Sequence, residues 1–307
     1  MPCGLLLLDK PRGIRSSLCV AILRRRLGRT VKVGHGGTLD STAQGLLVLL
    51  AGGATRASAL VMDLPKTYDV IFRLGEERST GDTTGDVVFS GPVPAFPVPL
   101  IEKFLPSFYG TRLQTPPSIS AIRIDGERAH HLARKGREVS LVPRPVRITS
   151  ISLLPLPSGG DLIGLRIRCG KGTYVRSIVT DLGRLLGCGA HVVSLIRQSS
   201  GNLNLSEAVS FTRLEDDSLP LEDSLLPLSL LAENFYSYRA DEEVSGDIRN
   251  GKEIPLSKLT FHSEGIISPE RGAVVLGEGL FSFGAILPQG VYKGQSNIFP
   301  LPDGPVP

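Results

Sequence analysis

Gly34 to Leu50, GHGGTLDSTAQGLLVLL, sets a single carboxylate, Asp40, behind glycines at 34, 36 and 37 and ahead of a wholly apolar run from Gly45 to Ala51. Glycine opens backbone conformations that a Cβ forbids. The apolar run has the length and composition of a buried strand. An acid held there can act as a nucleophile or a general base. It can also simply cap a turn, which is the commoner role of Asp, Ser and Thr clusters, and spacing alone favours that reading. Two other groups bring chemistry closer. Tyr68, on the alternating segment Lys66 to Leu74, either packs in a core or stacks on a flat base. Arg24, Arg25, Arg26 and Arg29 crowd together with no acid nearby in the sequence, a costly self-repulsion unless a polyanion is expected.

These residues need elements to hold them. Leu5 to Leu8 reads as a short buried strand, ended by the turn Asp9-Lys10-Pro11-Arg12-Gly13. Ser16 or Ser17 is placed to cap the next helix, whose apolar side is Leu18, Ile22, Leu23 and Leu27 and which Gly28 stops. Gly52-Gly53 leads into a helix over 54–64. Lys66 to Leu74 is a strand with Tyr68, Val70, Phe72 and Leu74 on one face. Gly91 to Pro99 is a stiff proline-rich connection before a short helix ending near Tyr109. From Ile119 to Arg147 the chain is basic, with a hairpin signal at Asp125-Gly126 and a brief helix from His130 to Lys135. Val175, Ile178, Val179 and Leu182 give a helix an apolar side, and 191–196 reads as a strand. The acidic, leucine-rich stretch from Glu207 to Leu231 is expected to form helices that pack on the main domain.

The totals are those of a soluble globular protein: 307 residues, 41% hydrophobic, 21% charged, net charge +4. No apolar run approaches the roughly 20 residues that span a bilayer, and the N-terminus lacks a signal core, so a cytoplasmic location is expected. Cys3, Cys19, Cys169 and Cys188 have no C-x-x-C spacing, which argues against a zinc site or a disulfide framework. There is no G-x-S-x-G for a hydrolase and no G-x-x-x-x-G-K-[ST] for a nucleotide triphosphate.

Read in order, the motifs are similar to those of the TruB family of tRNA pseudouridine synthases: LLLDKP-x-G-x-x-S (Leu6 to Ser16), GH-x-GTLD-x-x-A-x-GLL (Gly34 to Leu47), K-x-Y (Lys66 to Tyr68), RLG-x-x-x-x-T-x-D (Arg73 to Asp82), PP-x-x-SA (Pro116 to Ala121), KGTYVRS (Lys171 to Ser177) and DLG-x-x-LGCGAH (Asp181 to His191). The resemblance departs at Gly36, where members usually carry Thr, and at Ser41 to Gln44, where they carry Pro-Leu-Ala-Thr. An added glycine gives the loop more entropy to lose on folding, which bears on how rigidly the loop is held.

The resemblance implies a cofactor-free, metal-free isomerase that converts uridine-55 in the T-loop of tRNA to pseudouridine. Asp40 is then the essential carboxylate, Arg176 the fork that keeps it ionised, and Tyr68 the ring that stacks on the flipped base. Leu195 walls the pocket, and His35 fills the space that the base leaves. Lys10 and Tyr174 support the site, while Arg24, Arg25, Arg128 and Arg134 meet RNA. The basic insertion, about 119–147, closes over the RNA arm. The implied fold is α+β: a mixed, mainly antiparallel pseudouridine-synthase sheet with flanking helices and a central cleft over 1–235, then a small β-rich PUA-like domain over 236–307. That last segment is acidic, which argues against a strong electrostatic grip on RNA. A monomer whose partner is the tRNA T stem-loop is expected. The alternatives are a guide-RNA-dependent synthase of the dyskerin branch, or a tRNA-folding factor without chemistry.

Overall fold

The computed structural model describes residues 2–117, 123–124, 127–128, 142–156 and 160–298. They form two compact units, one of 1–64 with 199–307, the other of 65–198. The first unit opens with β1 (Gly4–Lys10), α1 (Ser16–Leu27), β2 (Val33–His35), β3 (Gln44–Ala51) and α2 (Ser58–Asp63). β1 and β3 are almost continuously apolar and almost wholly buried, the pattern of strands covered on both faces. They pair antiparallel with Lys10 opposite Gly45, and β2 pairs with β3 so that His35 faces Leu49.

α1 buries Cys19, Leu23 and Leu27 at four-residue intervals and stops at Gly28, whose φ is 99°. Two expectations change here. Leu18, assigned to the apolar side, is 46% exposed, because the buried stripe runs through Cys19 instead. Ser16 caps nothing: the N-cap is Arg15, with no side-chain cap bond, and Ser16 turns inward. The expected helix over 54–64 is a 3-10 turn, Gly52–Ala57, followed by the short α2.

The second unit holds β4 (Lys66–Leu74), the β5–β6 hairpin (Glu76–Arg78 with Val87–Ser90), α3 (Pro97–Phe104) and β7 (Gly110–Gln114). Then come β8 (Arg123–Ile124), β9 (Glu127–Arg128), β10 (Arg144–Leu154), β11 (Leu162–Cys169), α4 (Val175–Leu185) and most of β12 (Ala190–Ser200). The strand order is β12-β4-β11-β10-β7, with antiparallel pairing from β4 to β7. β4 has the bounds read from its alternation, and Val70, Phe72 and Leu74 enter a core shared with Ile163, Leu165, Val179 and Leu182. β8 and β9 pair antiparallel on either side of the predicted turn. Arg134 and the helix expected from His130 to Lys135 lie outside the described residues.

From residue 199 the chain is again in the first unit. β13 (Leu203–Asn204) pairs with the end of β12, and β14 (Val209–Ser210) runs parallel to β1, which makes this sheet mixed. The acidic stretch forms α5 (Phe211–Glu215) and 3-10 turns at Glu222–Ser224 and Leu228–Asn234, shorter pieces than expected. β15 (Tyr236–Arg239), α6 (Glu242–Arg249), β16 (Ile254–Pro255), β17 (Thr260–Ser263), β18 (Ala273–Gly277), β19 (Leu280–Leu287) and β20 (Val291–Ile298) complete it. Their six-stranded sheet has the order β16-β20-β19-β18-β15-β17. It is no tethered appendage. Phe235, Val274, Phe281 and Ile298 share one core with Leu5, Leu50, Ala54 and Leu60. The class is α+β, as expected.

Candidate active site

Asp40 stands exposed between two buried neighbours, Leu39 and Ala43, in the connection from β2 to β3. The segment from the end of β1 to the start of α1 holds that connection at three points. Ser16 Oγ donates to the Leu39 carbonyl at 2.9 Å and accepts from the Leu39 N–H at 3.0 Å. Gly13 N–H donates to the Ser41 carbonyl at 2.7 Å. Lys10 Nζ donates to the carbonyls of Ala43, Pro11 and Ile14 at 2.6, 2.9 and 2.8 Å. Within the loop, Ala43 N–H closes a turn onto the Asp40 carbonyl at 3.1 Å.

Each neutral bond contributes about 0.5–1.5 kcal/mol net, and those from an ammonium more. Lys10 is fully buried. A charge there is tolerated because carbonyls surround it, and it lies inside the fold, bracing the loop.

The glycines serve different ends. Gly37 has a φ of 134°, which a side chain would strain. Gly36 does not need positive φ; a Cβ there would lie 2.2 Å from Cγ1 of Val61 on α2. Val61 thus fills the space that a side chain at 36 would take. The loop is packed from outside at this glycine. Half-buried His35 has its Nδ1 3.3 Å from the Gly37 N–H, so the ring also braces the loop.

Of the clustered arginines, Arg24 is exposed. Arg25 and Arg26 both meet Asp217, at 3.1 and 3.2 Å, an acid from the stretch after α5. This corrects the premise that no acid lies nearby. The Arg25 pair is exposed on both sides and contributes about 0–1 kcal/mol. Arg26 also donates to the Leu214 carbonyl at 2.8 Å, closing off the end of α5.

In the second unit Arg176 lies in the first turn of α4 and is 5% exposed. Its Nη1 donates to the Thr80 carbonyl at 2.8 Å. The Thr80 turn is built around a buried carboxylate. Asp82 Oδ1 accepts from Thr80 Oγ1 at 2.7 Å, Thr84 N–H at 3.0 Å and Thr84 Oγ1 at 2.6 Å. Thr80 and Asp82 carry a supporting role that the sequence reading did not give them, although the T-x-D of the fourth motif marks both.

Tyr174 is the N-cap residue of α4. Gln114, 3% exposed, accepts from its N–H at 2.8 Å and donates to its carbonyl at 3.0 Å. Tyr68, opposite Ile167 on β11, and Leu195 on β12 are half-buried and border the same apolar cluster. Arg166 and Gln198 grip Asp69 on the other face of β4, at 2.7 and 2.9 Å. Burial pushes the Cys169 thiol up to about 11, so it stays neutral and is no nucleophile near pH 7.

Comparison with known proteins bears on this arrangement. A profile described as TruB family pseudouridylate synthase (N terminal domain) matches residues 24–175, and one described as tRNA pseudouridylate synthase B C-terminal domain matches 176–232. The tRNA pseudouridine synthase B of Nitrosococcus oceani is 35% identical over 300 residues, covering 96% of this chain and 94% of the relative. The chain belongs to the TruB family.

Another relative of the same name, from Aromatoleum aromaticum, is 41% identical over 252 residues, 81% of this chain and 80% of its own. Asp40, Tyr68 and Tyr174 fall within the N-terminal TruB profile and Arg176 within the C-terminal one, while the six-stranded sheet lies beyond both. Two solved structures share the fold. "Structure of H/ACA RNP bound to a substrate RNA containing 2'-deoxyuridine" has a TM-score of 0.71 at 20% identity, covering 97% of this chain and 85% of the other. "Crystal Structure of a Cbf5-Nop10-Gar1 Complex" has 0.68 at 22%, covering 92% and 78%. At these identities the likeness carries the fold alone.

Proposed function

We propose that this protein is a tRNA pseudouridine synthase, an isomerase that acts on uridine-55 in the T-loop. The observation that carries the reading is the mount of Asp40: an exposed carboxylate whose neighbours are fixed through Ser16, Gly13 and Lys10. The reaction breaks the bond from C1' of ribose to N1 of uracil, turns the base and forms a bond from C1' to C5. The C5 proton is released and N1 takes one up, so mass is conserved. Attack on the sugar, attack on the base and removal of a ribose proton are the roles open to Asp40. All three need an ionised carboxylate held still.

A base stacked in folded RNA is out of reach, so the nucleotide is flipped out and its stacking replaced. Tyr68 supplies the ring for this and Leu195 an apolar wall. Arg176, anchored on the Thr80 carbonyl, supplies the fixed positive charge of the site. His35 and Tyr174 support it, and Arg24 and the basic insertion with Arg128 and Arg134 meet the phosphates of the T arm. Tyr68→Ala is expected to lower kcat/KM by about 10- to 100-fold, since base stacking on an aromatic ring contributes about 1–3 kcal/mol, whereas Tyr68→Phe keeps most activity. Steady-state kinetics on a T-arm stem-loop read both.

The guide-RNA-dependent alternative draws on the fold it shares with the H/ACA structures, at about 20% identity, against 35–41% for relatives named tRNA pseudouridine synthase B. Incubation of the purified protein with a T-arm transcript and no other RNA decides between them. Pseudouridine at position 55 is expected. No conversion without a guide contradicts the proposal.

A further inference from the structure

The two hydrogen bonds of Ser16 do something that neither helix capping nor ordinary packing requires. One hydroxyl takes both polar groups of a single residue, Leu39, whose carbonyl and N–H lie 2.9 and 3.0 Å from Oγ across 23 positions of chain. Leu39 immediately precedes Asp40. Ser16 is 3% exposed and is the first residue of α1, which Cys19, Leu23 and Leu27 seat in the core. Its Oγ is therefore a fixed point, and Leu39, 4% exposed, is bound to it from both ends of its backbone. On the far side of Asp40, the Gly13 N–H and Lys10 Nζ hold Ser41 and Ala43.

We propose that Ser16 is a positioning residue for the isomerisation, setting the direction in which the Asp40 carboxylate is presented. The inference rests on the reading of Asp40 as the essential carboxylate. Alanine at 16 leaves the Leu39 N–H and carbonyl buried without this partner, and the loop must shift or admit water to satisfy them. A displacement of about 1 Å at a reacting group costs on the order of 100-fold in rate. The substrate is bound by other residues, so affinity is spared.

The test is steady-state kinetics on a T-arm stem-loop for four variants, with denaturant unfolding of each. Ser16→Ala is expected to lose about 30- to 100-fold in kcat with KM within about 3-fold of wild type. Ser16→Thr, which keeps the hydroxyl, is expected to be at least about 10-fold faster than Ser16→Ala. Leu23→Ala sits on the same helix with no bond to the loop. It is expected to lower stability as much or more yet to keep kcat within about 2-fold while folded. Asp40→Asn anchors the series and is expected to be inactive.

A Ser16→Ala kcat within about 3-fold of wild type beside an inactive Asp40→Asn overturns the positioning role and leaves the function standing. So does a kcat loss in Leu23→Ala equal to that of Ser16→Ala, or a Ser16→Thr as slow as alanine. An active Asp40→Asn overturns Asp40 as the essential carboxylate and the Ser16 role with it, whereas the function falls only if the wild-type protein makes no pseudouridine.

Discussion

Gly36→Ala is expected to destabilise the fold by about 2–3 kcal/mol, the upper range for forcing a methyl into a filled space. The added Cβ would meet Val61 Cγ1 at 2.2 Å and Cβ at 2.5 Å, distances at which something must move. The backbone is not at fault, because Gly36 lies outside the positive-φ region that restricts Gly37. Val61→Gly is expected to cost about 2–4 kcal/mol through the emptied space and a glycine within α2. The two losses should not add. With the side chain moved from helix to loop, the double variant is expected to recover at least about 1 kcal/mol of the summed cost, as directly contacting pairs do. Chemical denaturation of the four proteins measures it, and strict additivity would contradict the fit. Threonine, the usual residue of the family at this place, is larger still and should be worse tolerated while Val61 remains.

That fit explains what the sequence could and could not disclose. Strand β4 was readable to its end residues because Val70, Phe72 and Leu74 alternate with half-buried or exposed positions along one local segment. β3 and the buried side of α4 were readable for the same reason: the pattern lies within the element. The glycine at 36 registered only as a departure, since its complement, Val61, is on another element. Ser16 looked like a helix cap because serine before an apolar stripe usually is one; its true partner, Leu39, is 23 positions on. The arginines looked unopposed because Asp217 is 192 positions from Arg25. Lys10 was read as supporting the site, but the way it does so was not legible, since lysine is rarely buried and the Ala43 carbonyl that its ammonium reaches is 33 positions on. Gln114, which steadies Tyr174 from 60 positions away, was hidden in the same way. The candidate residues were visible through their motifs, and so were Lys10, Ser16 and Asp82; what these supports hold was visible only in three dimensions.

The supports matter because a carboxylate gains catalytic power from being held, and the polar groups of 10–16 are spent on holding Asp40. The most direct measurement is therefore pseudouridine formation at position 55 of a T-arm transcript by wild type and Asp40→Asn, with transcript binding measured in parallel. Asparagine keeps the shape of the side chain and removes its charge. The expected result is a loss of at least about 1,000-fold in conversion, with affinity within about 3-fold of wild type, as fits removal of a group that acts in the chemical step. Conversion by Asp40→Asn at a rate near wild type would contradict the account.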